Sequence, residues 1–212
     1  MEFMNSDLFK KEMNDKLAKQ GVRIIGNVDS MGTFNFLSKK PIRTMADVKG
    51  IKNRCAQMAP LLSSWRSYGA KPTPLGWGEI YTSLATGVID GLDNPILDMY
   101  DEKFNEVCKY INMTGNLYTA IAYNTSETFW QSLNDHEKSV FKMAIEIANL
   151  KTKGKLGKVF ADAMADMKAQ GITVIKTDTS DFQKAVAGNI DNILEGNKQA
   201  ISMFKKIQKA GY

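Results

Sequence analysis

Three residues carry the chemistry most open to interpretation. Arg54 sits in a predicted strand, Ile51 to Cys55. An arginine buried there is costly unless it meets an anion, and its planar fork suits a carboxylate through two parallel hydrogen bonds. The bland alternative is a strand-surface arginine paired with a nearby acid. Asn94 offers both a donor and an acceptor, but it also suits a helix cap. Trp77, flanked by Gly76 and Gly78, can line a pocket wall with its indole N–H left for a partner, or can fill a core. These residue types hold a polar anion; they do not by themselves turn one over.

Catalytic constellations are poorly supported. His136 is the one histidine in the sequence and falls among Asn134, Asp135, Glu137 and Lys138, an expected solvent-exposed helix start. A histidine triad would have to use it, and nothing nearby forms a nucleophile elbow. P-loop, GxGxxG and HExxH motifs do not occur. Asp90, Asp93, Asp98 and Asp101 lack the spacing of a calcium loop and read as capping and solvated surface. Cys55 and Cys108 form no CxxC pair and supply too few sulfur ligands for zinc. Both fall in predicted strands and are expected to be buried free thiols, with a disulfide left open. No metal or cofactor is expected. A hydrolase using Cys55 or an acidic pair is the weakest reading.

The 212-residue chain fits one large domain or two small lobes, with 43% hydrophobic and 24% charged residues. Net charge is +5 and the isoelectric point is near 9.0. Basic residues are dispersed apart from Lys151–Lys158 and Lys205–Lys206, without interleaved aromatics, so no nucleic-acid partner is expected. A mild positive field favours an anionic small molecule. No apolar run is long enough for a membrane span, so no stable membrane insertion is expected. Met1 to Asp7 lack the basic and apolar regions of a signal peptide. Twelve methionines are expected mostly to fill core gaps.

The elements that must position these residues alternate. Ser6 caps a predicted helix over 6–20, ended by Gly21. Strands follow at Val22–Ile25 and Phe34–Ser38. Thr44 and Asp47 resemble a capping box for one turn, and a helix over 58–68 follows the Arg54 strand. In Lys71–Pro95, prolines and glycines frame a short amphipathic helix stopped by Gly87. Val88–Ile89 then starts a strand bent at Asp90-Gly91, and Asn94 caps a new helix with Pro95 at its first position. Strands are expected near 107–113 and 118–124. Asn134 and Glu137 open a long helix to about Gln170, ~54 Å at 1.5 Å per residue, which Gly154 and Gly157 could bend or break. A strand at Ile172–Ile175 and helices from Ser180 complete an α/β fold on a mainly parallel or mixed sheet.

Four segments resemble one family. They are Lys39-Lys-Pro-Ile-Arg-Thr-Met-Ala-Asp47-Val-Lys-Gly-Ile-Lys-Asn-Arg54, Thr73-Pro-Leu-Gly-Trp77-Gly-Glu79-Ile-Tyr81, Gly87-Val-Ile-Asp90-Gly-Leu-Asp-Asn94-Pro95, and Lys103-Phe104-Asn-Glu106-Val107 followed by Tyr110. Their order and spacing are similar to those of the solute-binding proteins of TRAP transporters, the DctP-like family, across nearly the whole chain. The resemblance implies a two-lobed periplasmic binding protein-like α/β fold with a long helix spanning both lobes. Residues 32–118 with 160–212 would form the ligand-binding lobe, and 1–31 with 119–159 the remainder of the other lobe and the inter-lobe helix.

The same resemblance implies roles. Arg54 matches the arginine that pairs with the ligand carboxylate, Asn94 an asparagine that helps hold it, and Trp77 a cleft-lining aromatic. Gln57 and Asp93 match pocket-adjacent positions. Phe34 stands where many members carry an arginine, which implies a ligand with one strong carboxylate clamp. Expected partners are a small organic anion and TRAP membrane subunits, in the periplasm. Family members usually carry further strands and helices before the segment matched by Ser6–Gly21, so the first lobe is expected to be incomplete. A structural or partner-binding fragment without ligand affinity is the alternative.

Overall fold

The computed structural model describes residues 2–26 and 29–211. Its strands are β1 (Val22–Ile24), β2 (Asp29–Ser38), β3 (Lys52–Cys55), β4 (Lys71–Pro74), β5 (Gly91–Pro95), β6 (Tyr110–Asn112), β7 (Tyr118–Ile121), β8 (Asn124–Ser126) and β9 (Thr173–Ile175). The chain divides into two compact units. One comprises Met1–Gly32, Thr119–Val159 and Ile207–Tyr212; the other comprises Thr33–Tyr118 and Phe160–Lys206.

In the first unit, the Ser6 hydroxyl accepts the Phe9 N–H at 3.2 Å and caps a helical segment. That segment is not uniform: Lys10–Asn14 form a wider π turn before Asp15–Lys19 returns to α-helix. Gly21 follows the helix at φ +86°, a conformation costly for other residues. Antiparallel β1 and β8 form a two-stranded ribbon. Arg23 donates Nε and Nη2 to the two oxygens of Glu127 at 2.6 and 2.7 Å. This fork, with Gln131 adding a further bond, holds the Glu127 carboxyl down at about 2. The Asn134 side chain accepts the Glu137 N–H at 2.9 Å, and Glu137 accepts the Asn134 N–H at 2.8 Å. This reciprocal box opens a helix of 35 residues, Asp135–Ala169, whose residues from Phe160 on belong to the second unit. It passes through Gly154 and Gly157, where a bend or a break was open, without a break. Val140, Met143, Ile147 and Leu150 are all exposed and, three or four residues apart, form one apolar stripe.

In the second unit, strand order is β4-β3-β5-β2-β6-β9 in a mixed sheet. β3 runs parallel to β4 and β5; β2 runs antiparallel to β5 and β6. Adjacent residues of a strand face opposite sides. Phe36 and Leu37, both fully buried, accordingly anchor two separate cores. Leu37 joins Ile80, Leu84, Leu92, Ile111 and Met167. Phe36 joins Trp65, Tyr68, Cys55 and Phe182, with the Phe36 and Trp65 rings 4.9 Å apart. Cys55 and Cys108 are both free and buried, one in each core. Cys108 lies just before β6, outside the strand expected to hold it. The methionine expectation holds only for some side chains. Met99 and Met167 are buried, whereas Met13, Met58 and Met143 are exposed.

Two corrections concern Lys71–Pro95. Lys71–Pro74 is a strand despite its two prolines, because β4 is an edge and needs ladder donors on one side only. The strand expected from Val88 begins at Gly91 instead and includes Asn94 and Pro95. Val88 is exposed, Ile89 reaches the core from a loop, and the next helix starts at Ile96. Asn94 is therefore a strand residue, paired in register with Asn35.

Candidate functional site

The carboxyl ends of parallel strands are where an α/β sheet presents ligand-binding loops. β3, β4 and β5 end side by side in this way. β3 delivers Arg54 near its end, with Gln57 on the bend after it. β4 leads into Leu75, Gly76 and Trp77. β5 delivers Asn94 just before the Ile96–Asp101 helix. Register pairs Arg54 with Leu92 and Thr73, so strand alternation places Arg54, Leu92 and Asn94 on one face of the sheet. Phe34 pairs with Pro95 at the same end, half-buried against the Phe36–Trp65 core.

Arg54 is 6% exposed. Its Nε and Nη2 donate to a single acceptor, the Leu75 carbonyl, at 3.2 and 3.1 Å. Its guanidinium carbon lies 5.4 Å from the Trp77 ring centroid. Burial pulls the guanidinium below its ordinary value, opposed by the nearby Asp93 charge. Among the described residues no carboxylate forms an ion pair with it. Arg54 is thus a nearly buried cation held by one carbonyl and one ring.

Trp77 is partly exposed and donates Nε1–H to Glu102 Oε1 at 2.9 Å; its ring meets Phe104 edge-on at 5.5 Å. Asn94 is buried and donates Nδ2 to Asp98 Oδ2 at 3.0 Å, in the first turn of the next helix. The Asn94 side chain thereby contacts the helix it was expected to cap, but by an acidic side chain instead of backbone N–H. Gln57 is exposed.

Asp93 points to the opposite face from Arg54 and is fully buried. Its Oδ2 accepts from Trp65 Nε1 at 2.6 Å and from Asn116 Nδ2 at 2.7 Å, while Oδ1 has no partner among the described residues. Burial pushes its carboxyl up to about 7, against the pull of those two donors and of Arg54. Trp65, Asn116 and the Leu75 carbonyl belong to this arrangement and were not singled out from the sequence. A tryptophan in a helix and an asparagine in a loop carry no local mark of such a contact.

A separate cavity of about 420 Å³ is lined by Tyr100, Asn105, Asp166 and Gln170, among others, and contains none of Arg54, Asn94, Trp77, Gln57, Asp93 and Phe34. The Cys55 thiol is fully buried and pushed up to about 12 by that burial, which leaves it inert as a nucleophile. Among the described residues no cluster of His, Cys, Asp and Glu could hold a metal ion. No helix among them is long and apolar enough to cross a membrane.

Comparison with known proteins decides the family. The family described as DctP, bacterial extracellular solute-binding protein, family 7, matches residues 2–197. The chain belongs to the DctP family. One relative, the solute-binding protein RD1_1052 of Roseobacter denitrificans, is 32% identical over 154 residues, covering 73% of this chain and 47% of that protein. Its crystal structure with bound L-galactonate matches at a TM-score of 0.78 and 27% identity, over 96% of this chain and 70% of that one. The sialic acid-binding periplasmic protein SiaP of Vibrio cholerae is 30% identical over 155 residues, 73% of this chain and 48% of that protein. A TRAP periplasmic solute binding protein from Sulfitobacter sp. NAS-14.1, with bound β-D-galacturonate, matches at a TM-score of 0.86 and 25% identity, over 95% of this chain and 67% of that one. The α/β architecture is thus that of DctP-family binding proteins, and the chain spans about half the length of the sequence relatives it matches.

Proposed function

We propose that the chain captures a small organic acid outside the cytoplasm, in the periplasm, and delivers it to the membrane subunits of a TRAP-type secondary transporter. Arg54 pairs with the ligand carboxylate, Asn94 helps to hold the same group, and Trp77 forms an apolar wall. Gln57 lies beside the ligand, Asp93 supports the site from below, and Phe34 supplies an apolar surface in place of a second cation. The observation that carries this reading is the state of Arg54: nearly buried, fixed by the Leu75 carbonyl, and without a carboxylate partner among the described residues. A cation left in that state gains most from an anion with two oxygens. Sialic acid, galacturonate and galactonate, named for or bound to the relatives above, all carry a carboxylate. Binding without turnover fits the inert Cys55 and the exposed His136.

Titration calorimetry with D-galacturonate, L-galactonate and sialic acid tests the assignment. One of these acids is expected to bind the wild type, and Arg54→Ala should weaken it about 30- to 100-fold, the loss of a charge-assisted contact of about 2–3 kcal/mol. Equal affinity in the variant would remove Arg54 from the site. A folded protein that binds no acid in the panel would instead favour a partner-binding segment.

A further inference from the structure

Glu102 is exposed and lies far from Arg54 in sequence, yet it is tied to it through one side chain. The Glu102 carboxylate accepts the Trp77 indole N–H at 2.9 Å, and the Trp77 ring supports the Arg54 guanidinium at 5.4 Å. The backbone builds this contact deliberately. Glu102 ends the Ile96–Asp101 helix, and Lys103 then takes a left-handed conformation at φ +58°. The short helix Phe104–Glu106 follows. The reversal at Lys103 sets two acids on the Trp77–Tyr81 segment: Glu102 on Trp77, and Glu106 on the Tyr81 hydroxyl at 2.7 Å. Phe104, between them, closes the edge of the indole.

From this geometry we infer that Glu102 is a positioning residue of the carboxylate site: it fixes the indole against which Arg54 is held. The inference rests on the reading of Arg54 as the ligand clamp. An indole has no other polar handle, so without an acceptor no hydrogen bond fixes its orientation against Phe104 and the guanidinium. A carboxylate acceptor also polarises the ring and strengthens its attraction for a cation on its face. An exposed glutamate would ordinarily contribute little; this one acts because its partner is itself in contact with the buried cation.

The test is spectroscopic and needs no ligand. In ¹⁵N–¹H correlation spectra, Trp77→Phe identifies the Trp77 indole resonance and Arg54→Lys the Arg54 Nε–H resonance. Glu102→Ala should move both, with the melting temperature unchanged to within about 2 °C, and Glu102→Gln, which keeps an acceptor, should restore most of both positions. An Arg54 resonance that stays in place in Glu102→Ala would overturn the inference. A second arm measures D-galacturonate binding. Glu102→Ala should weaken it about tenfold in the wild-type background and leave it unchanged in the Trp77→Phe background; equal losses in both backgrounds would also overturn the coupling. Failure of the clamp reading looks different: Arg54→Ala would leave uronate affinity intact while the Trp77–Arg54 spectral coupling persisted.

Discussion

The Trp65 indole N–H donates to Asp93 Oδ2 at 2.6 Å, joining a helix to the central sheet at a carboxyl group with no access to water. Asn116 donates to the same oxygen and takes the Tyr68 hydroxyl on its own carbonyl, so one helix and one loop converge on this acid of β5. The other oxygen, Oδ1, is unpartnered among the described residues, and burial outweighs the two donors.

The carboxyl therefore titrates at about 7 in the folded chain, against about 4 unfolded. Between those values the folded state holds a proton that the unfolded state has released, so stability falls as pH rises through this window. The fall should reach a few kcal/mol by pH 8. Glu127, held at about 2, acts in the opposite direction and only below about pH 4, outside this range. Urea midpoints measured from pH 4.5 to 8 should decline for the wild type and stay level for Asp93→Asn. A level wild-type profile would place the Asp93 carboxyl in its ordinary range.

Gly91 admits no side chain. A Cβ there would lie 2.5 Å from the Leu37 carbonyl oxygen and 2.7 Å from the Phe36 ring. The carbonyl belongs to the paired strand and cannot swing aside without breaking the ladder. Gly91→Ala should cost about 2–3 kcal/mol in denaturant unfolding; a change below 0.5 kcal/mol, the size of an ordinary surface substitution, would show that β2 yields.

Gly154 and Gly157 present the reverse case. Both lie inside the long helix, and a Cβ at either would meet nothing within 4 Å. Gly154→Ala and Gly157→Ala should each raise stability by about 0.5–1 kcal/mol, read as a higher melting temperature. A loss from either would reveal that flexibility at these points is part of the folded state.

Asn112 is fully buried and fully bonded. Its amide donates to the Phe36 carbonyl and the Ser38 hydroxyl, both at 2.8 Å, and its oxygen accepts the Ile42 N–H at 2.7 Å. Asn112→Leu leaves these groups unpaired and should cost about 3 kcal/mol or more by thermal or urea unfolding, with the Ile42 amide losing its protection from hydrogen exchange. Retained protection would mean that another acceptor takes over.

Local punctuation made much of the fold readable. Ser6, Asn134 and Glu137 mark helix starts by side-chain chemistry that acts within three residues, and Gly21, Gly69 and Gly87 mark ends by a conformation that acts within one. The errors fall where a long-range partner decides. Pro72 and Pro74 read as turn signals because sequence does not reveal that β4 is an edge. Val88–Ile89 has strand propensity, but the ladder to β2 begins at Gly91, where the backbones approach closely. Arg54, Trp77 and Asn94 stood out as polar or aromatic residues in unusual settings. Leu75, Glu102 and Asn116 act through a carbonyl, a rotamer and a loop amide, which leave no pattern in the chain.

β4 also governs what this sheet can join. The Lys71 N–H points inward to the Ile51 carbonyl, so alternation turns the nitrogens of Pro72 and Pro74 outward. An outer rim whose nitrogens carry no hydrogen can offer carbonyls but not the donors a neighbouring chain would need. Strand-by-strand growth into fibres or runaway sheet assembly is thereby blocked on this side by the backbone itself.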